Sequence, residues 1–197
     1  MESAPPQESR APSQETAERP GPGRRPPTLI IMVGPPGTGK SHLVRLLARQ
    51  VPVKVVETDE IRQRLFPHPR YTPEENRRVF HEAHRRIDRL LRKGCDVVFD
   101  ATNIRESGRR TLYRIAESDG ARLLIVRTVA PDEVVEQRLR QRVEGLSPED
   151  RSEAGWEVYL RMKAEFEEIG RPHMVVDTSQ PLEPAIDEIA RFVKGQA

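Results

Sequence analysis

MVGPPGTGKS (residues 32–41) decides the fold of this 197-residue chain. Four residues separate Gly34 from Gly39, and Lys40 and Ser41 follow directly. Upstream, TLIIMV (28–33) is a continuous apolar run with β-branched residues, bounded by prolines, and reads as a buried strand. Downstream, SHLVRLLARQ (41–50) places Leu43, Leu46, Leu47 and the neighbouring Ala48 at helical spacing. A glycine-rich turn between such a strand and helix directs backbone N–H groups inward at the positive end of the helix, which suits an anion. The lysine–serine order makes the anion a phosphate, since a plain turn does not require it. Lys40 can reach β- and γ-phosphates, and the Ser41 hydroxyl can bind Mg²⁺. The expected donor set is Gly34, Pro35, Pro36, Gly37, Thr38, Gly39, Lys40 and Ser41, with ATP and Mg²⁺ as cofactors.

Outward from this loop the alternation repeats. VKVVE (53–57) is a second strand, delivering Thr58, Asp59 and Glu60 at its carboxyl end. Thr72-Pro73-Glu74-Glu75 has the form of a capping box with proline in the first helical position. Val79, Ala83, Ile87, Leu90 and Leu91 form one apolar stripe behind it, giving a long helix to about Gly94. DVVFDAT (96–102), LLIVRTV (123–129) and HMVVD (173–177) read as three further strands. Asn103 and Glu106 offer a cap for a helix over 104–118. Helices are also expected over 131–142, from the capping signal Ser147-Pro148-Glu149-Asp150 to about Ile169, and around 185–193. Trp156, Tyr159 and Phe166 recur at helical spacing and read as core. Strands alternating with helices need crossover connections, so the expected fold is α/β, three layers with a parallel five-stranded sheet.

Composition bounds the rest. The length suits one well-buried domain. Residues 1–27 hold seven prolines and almost no large apolar side chains, so they are expected to be a disordered tail with a basic patch at Arg24 and Arg25, ahead of a domain over 28–197. A single cysteine, Cys95, excludes an internal disulfide, and no apolar run approaches a membrane span. The expectation is a cytoplasmic protein without a membrane partner. Charge is polarised: residues 60–94 carry a net +5 and residues 143–197 a net −6. A basic middle favours a phosphate-rich partner.

Asp59 and Arg62 stand three apart at the carboxyl end of the second strand, where ligands sit in open α/β sheets. Two readings are open on spacing alone. The carboxylate could take a hydroxyl proton while the guanidinium holds a substrate phosphate, or the two could form a surface pair at a helix start. Asp100 ends the third strand, from which it could reach the shell of Mg²⁺, orient Arg62, or satisfy backbone donors. Asn103 reads as a helix cap rather than a ligand.

Taken together, Gly34 to Ser41, Asp59-x-x-Arg62, Phe99-Asp100-Ala101-Thr102-Asn103 and Arg138-x-x-x-Arg142 resemble the phage-type polynucleotide 5′-kinase family and its relatives among P-loop phosphotransferases. The resemblance covers about residues 28–179. It implies an adenylate-kinase-like parallel sheet with a mobile helical lid. Asp59 would be the general base toward an acceptor 5′-hydroxyl, and Arg62 would contact the acceptor's phosphate, with Asp100 beside it. Arg138 and Arg142 would lie on the lid, Arg138 toward the donor and Arg142 stabilising transferred charge; otherwise they are a solvated basic stripe. Lys40, Asp59 and Arg142 are therefore the catalytic candidates.

His81 and His84, among Arg77, Arg78, Arg85 and Arg86, read as the polar side of the long helix, either plain surface or a lead for an anionic strand of DNA or RNA. A kinase of a small hydroxylated molecule shares the same P-loop, base and lid. From another class, a nucleotide-driven switch or an ATP-binding scaffold also fits the loop.

Overall fold

The computed structural model describes residues 25–143 and 155–196. The chain order is β1 (Thr28–Val33), α1 (Lys40–Gln50), β2 (Lys54–Glu57), α2 (Thr58–Leu65), α3 (Pro73–Arg92), β3 (Val97–Asp100), α4 (Glu106–Ser118), β4 (Arg122–Val129), α5 (Asp132–Val143), α6 (Trp156–Ala164), β5 (Met174–Asp177) and α7 (Glu183–Lys194). All five strands pair in parallel in the order β2-β3-β1-β4-β5. This is the α/β P-loop NTPase architecture that the sequence implies.

Every residue of β1 is buried, because helices cover both faces of the sheet and no polar face is needed. The alternation of the strand divides the core. Leu29, Ile31 and Val33 point to one face and pack with Val79, Ala83, Ile87 and Leu91 of α3 and Leu112, Tyr113 and Ala116 of α4. Ile30 and Met32 point to the other, against Leu43, Val44 and Leu47 of α1 and Ile186, Ile189 and Val193 of α7. A third cluster joins Val135 and Leu139 of α5 to Tyr159 and Trp156 of α6.

Several boundaries depart from the sequence reading. β3 spans Val97–Asp100 rather than 96–102, and just ahead of it the Asp96 carboxylate accepts the Thr28 N–H at 2.8 Å and the Arg25 guanidinium at 2.9 Å. Arg25, assigned to the tail from composition, is thereby held to the folded body. α6 ends at Ala164, five residues before the expected Ile169. Beyond it, Phe166 leaves the helical spacing to pack on the first cluster, with the Arg127 guanidinium 4.5 Å over its ring. The capping signal at Ser147-Pro148-Glu149-Asp150, the join between α5 and α6 and the start of the tail lie outside the described residues. Among the described residues no helix is long and apolar enough to cross a membrane.

Candidate active site

The loops that follow β1, β2, β3 and β5 meet above the carboxyl edge of the sheet and enclose a cavity of about 1100 Å³. Its floor is the P-loop. Gly37 and Gly39 have φ of 77° and 82°, and a Cβ on either would come within 2.8 Å of Val135 Cγ1 or Thr178 Oγ1 respectively. Glycine is therefore required at both positions by backbone and by space. The Gly34 N–H donates to the Thr102 carbonyl at 2.9 Å, tying this loop to the one after β3.

Of the expected donor residues, Pro36, Gly37, Gly39, Lys40 and Ser41 line the cavity. Gly34, Pro35 and Thr38 lie behind the lining and hold its shape. Thr38 Oγ1 donates to the Pro35 carbonyl at 2.8 Å and sits 2.8 Å from Thr128 Oγ1. The Lys40 ammonium donates to the Pro35 carbonyl at 2.9 Å, folded over the loop. Sequence reasoning missed Thr178, whose Oγ1 donates to the Thr38 carbonyl at 3.0 Å and accepts from Arg138 at 2.8 Å. Arg138 also donates to the Thr178 carbonyl at 2.7 Å and to Gly37 O at 3.4 Å, so it braces the P-loop against the segment after β5. Burial pulls its guanidinium below its ordinary value, against the opposing charge of Asp177. Arg45 is a further cation on the cavity wall, one helical turn beyond Ser41.

Asp59, Arg62, Asp100, Arg138 and Arg142 all line this same cavity. Asp59 stands in the first turn of α2. Asp100 is buried at the end of β3, and in register beside it on β2 is Glu57, also on the cavity wall. The Ser41 hydroxyl with these carboxylate oxygens is a hard donor set that suits Mg²⁺ shared with nucleotide phosphates. Among the described residues no group of three or more His, Cys, Asp or Glu is placed to hold an ion unaided.

Arg62 is only 6% exposed. Its Nη2 donates to Asn76 Oδ1 at 2.7 Å, its Nη1 lies 3.9 Å from Glu75 Oε2, and the Tyr71 ring covers the guanidinium at 4.6 Å. Nε and Nη1 are buried and make no hydrogen bond. Tyr71 has φ of 55°, a strained conformation for an aromatic residue. It is fixed because Glu75 Oε2 accepts the Arg70 and Tyr71 N–H groups at 2.9 and 2.7 Å. The expected capping box is thus half formed: Thr72 accepts the Glu75 N–H at 3.2 Å, but the glutamate reaches past Thr72 to those two donors.

Two expectations are corrected here. Asn103 does not cap α4. It has φ of 47°, and its side-chain amide donates to the Met32 carbonyl at 2.8 Å, clamping the loop after β3 to β1. The α4 amino end is closed instead by Glu167, whose carboxylate accepts the Glu106 N–H at 2.6 Å. His84 is not on the polar side of α3. Its ring packs 6.1 Å from Phe80 and 6.3 Å from Phe99 and lines the cavity, and burial followed by the neighbouring His81 pushes its pKa down. His81 is exposed, as are Arg77, Arg78 and Arg85. Arg77, Arg85 and Arg86 pair with Glu74, Glu82 and Glu60.

Behind the cavity wall lies Arg109, fully buried on α4. Nε donates to Glu106 at 2.9 Å, Nη1 to the carbonyls of Asn103 and Ile104 at 2.8 and 2.9 Å, and Nη2 to those of Glu167 and Glu168 at 2.8 and 2.7 Å. All five donors of the guanidinium are used. The residue bolts the loop after β3 to the segment after α6.

A family model described as AAA domain matches residues 29–169. The chain belongs to this AAA domain family. An uncharacterized protein of Mycobacterium tuberculosis is 27% identical to this chain over 172 residues, which is 81% of this chain and 33% of that protein. The chain thus spans about one third of the length of the curated relatives it matches. Among solved structures, the Mycobacterium tuberculosis APS kinase in complex with AMPPNP and APS superposes with a TM-score of 0.64 at 14% identity, covering 85% of this chain and 98% of that one. A chain of the Pnkp1/Rnl/Hen1 RNA repair complex gives 0.60 at 21%, covering 81% of this chain and 52% of that one. Both likenesses are of fold: the chain has the P-loop architecture of these structures.

Proposed function

We propose that the chain is a phosphotransferase that moves the γ-phosphoryl group of ATP to a hydroxyl, and that the acceptor is a polynucleotide 5′ end. One observation carries this reading. Arg62, whose buried guanidinium is incompletely bonded, lines the same cavity as the P-loop and Asp59. A buried donor pair without acceptors is costly unless a ligand anion completes it. A 5′-hydroxyl with a phosphate on the same nucleotide supplies both the nucleophile and that anion.

In this reading the P-loop amides and Lys40 hold the donor phosphates, and Ser41, with Asp100, would hold Mg²⁺. The ion, when bound, neutralises phosphate charge. Asp59 accepts the hydroxyl proton as the acceptor oxygen bonds to the γ-phosphorus and the bond from that phosphorus to the β-bridging oxygen breaks, with ADP as the leaving group. Arg142 balances charge on the transferred group, and Arg138 keeps the P-loop in shape around it. A second reading, a kinase of a small hydroxylated molecule, is favoured by the ion pairs of Arg77, Arg85 and Arg86, which engage cations that a strand would otherwise use.

Incubation with labelled ATP and Mg²⁺ against 5′-hydroxyl oligonucleotides, nucleosides, sugars and aminoglycosides tests both. Label on the oligonucleotides is expected, with affinity falling steeply with salt. Label confined to a small molecule overturns the polynucleotide acceptor, and label on none overturns the transferase.

A further inference from the structure

The two halves of the cavity differ in chemistry. Around the P-loop the wall is cationic, with Lys40, Arg45, Arg138 and Arg142. Beyond Asp59 the lining gains a group of rings and an aliphatic side chain, Tyr71, Phe80, His84 and Ile104, with the polar Asn76, Arg105 and Ser107 among them. His84 belongs with the apolar members, because burial favours its uncharged form and its Nε2 is enclosed without a hydrogen-bond partner. Arg62 stands at the boundary between the halves with two buried donors unbonded.

The neighbouring helix α4 carries a third clue. Gly108, the third residue of α4, lines the cavity, and a Cβ built there meets no atom within 4 Å. Neither packing nor a left-handed backbone requires glycine at this position, and alanine is the better helix former. The missing side chain leaves free space on the cavity side of the helix.

We propose that this half of the cavity is a subsite for a planar heterocycle joined to an anionic alcohol, with Gly108 as its specificity-determining residue. The heterocycle lies across the first turn of α4 and against the Phe80–His84 wall, and the acceptor's anion completes Arg62. Aromatic walls reward a flat ring through area and ring–ring contact. The hydroxyls of a bare sugar would lose water there for few partners. A nucleoside phosphate, free or at the end of a strand, has the required chemistry. The proposal rests on the hydroxyl-kinase reading above and names the part of the acceptor that gives selectivity.

The test compares thymidine 3′-monophosphate with its base-free counterpart, 1,2-dideoxyribose 3-phosphate, as acceptors for the full chain. A kcat/KM at least tenfold higher for the ring-bearing compound is expected. Gly108→Leu, which fills the free space, is expected to cut that preference at least fivefold. Gly108→Ala is expected to raise the unfolding midpoint and the KM for the nucleotide together, a pairing that rules out misfolding as the cause. A preference near one in the native chain, or one untouched by both substitutions, overturns the subsite. A matching 5′-hydroxyl oligonucleotide separates the two sources: a much higher kcat/KM than the mononucleotide indicates a strand end, and an equal one a free nucleotide. If neither small acceptor is phosphorylated, calorimetry of the same two compounds judges the subsite apart from the reaction. Tighter binding of the ring-bearing one, weakened by Gly108→Leu, supports it, and equal or absent binding overturns it.

Discussion

Replacing Arg109 by methionine removes five hydrogen-bond donors from a site with no exposed surface. Four of the abandoned acceptors are backbone carbonyls, those of Asn103, Ile104, Glu167 and Glu168. The fifth, Glu106, keeps part of its side chain in water and adds little. At about 1 kcal/mol for each stranded carbonyl, the low end for an unsatisfied buried group, the variant should lose about 4 kcal/mol. That is about a quarter or more of the stability of an ordinary domain. With a urea dependence of about 2 kcal/mol per molar, the unfolding midpoint should fall by roughly 2 M. Arg109→Lys keeps the charge but has no planar fork to span two loops, so it should recover less than half of the loss. Asn103 and Ile104 line the cavity, so the acceptor KM should rise as well. Urea titration followed by circular dichroism measures the first effect. A loss below about 1 kcal/mol, or full recovery with lysine, would refute the account of Arg109 as a bolt between loops.

Lys40→Ala should abolish phosphoryl transfer and Ser41→Ala should weaken its metal dependence, both read by labelled-ATP assay. Asp59→Asn keeps the size of the side chain but cannot take a proton, so kcat should drop by roughly 10² or more with ATP affinity retained; a normal rate would move the base elsewhere. Gly39→Ala forces a Cβ onto Thr178 at a left-handed residue, and ATP binding measured by calorimetry should be lost. The pKa of His84 is depressed in the fold from its ordinary 6.5, so the unfolded chain takes the proton first as pH falls. The thermal midpoint should therefore decline below about pH 6.5, and His84→Phe should flatten that part of the profile.

How far the sequence could be read depended on the distance to each residue's partner. β1 and the P-loop were legible because a strand buried on both faces leaves an unbroken apolar run and the turn leaves its glycines. The start of α3 was legible because its cap, Thr72, lies three residues from the donor it serves. Asn103 was misread because its partner, Met32, is 71 residues away, and α4 is capped by a glutamate 61 residues downstream. His84 was lost among arginines, although it falls four residues after Phe80 and one after Ala83, beside the apolar stripe. Arg109 drew no reading from the sequence, yet it continues the buried row of Leu112, Tyr113 and Ala116. That spacing was the available signal, and the four carbonyls that stabilise the charge were not visible in it.

Because all five strands run the same way, every residue on the cavity wall lies at one pole, and the turns at Pro52, Lys93 and Gly120 lie at the other. The chemistry of one pole can therefore be altered without rewriting the turns of the other. A tag, a reporter or a second domain spliced into those turns would lengthen the chain while leaving the reactive pole as it is. The architecture gives an engineer, or evolution, a handle already separated from the working surface.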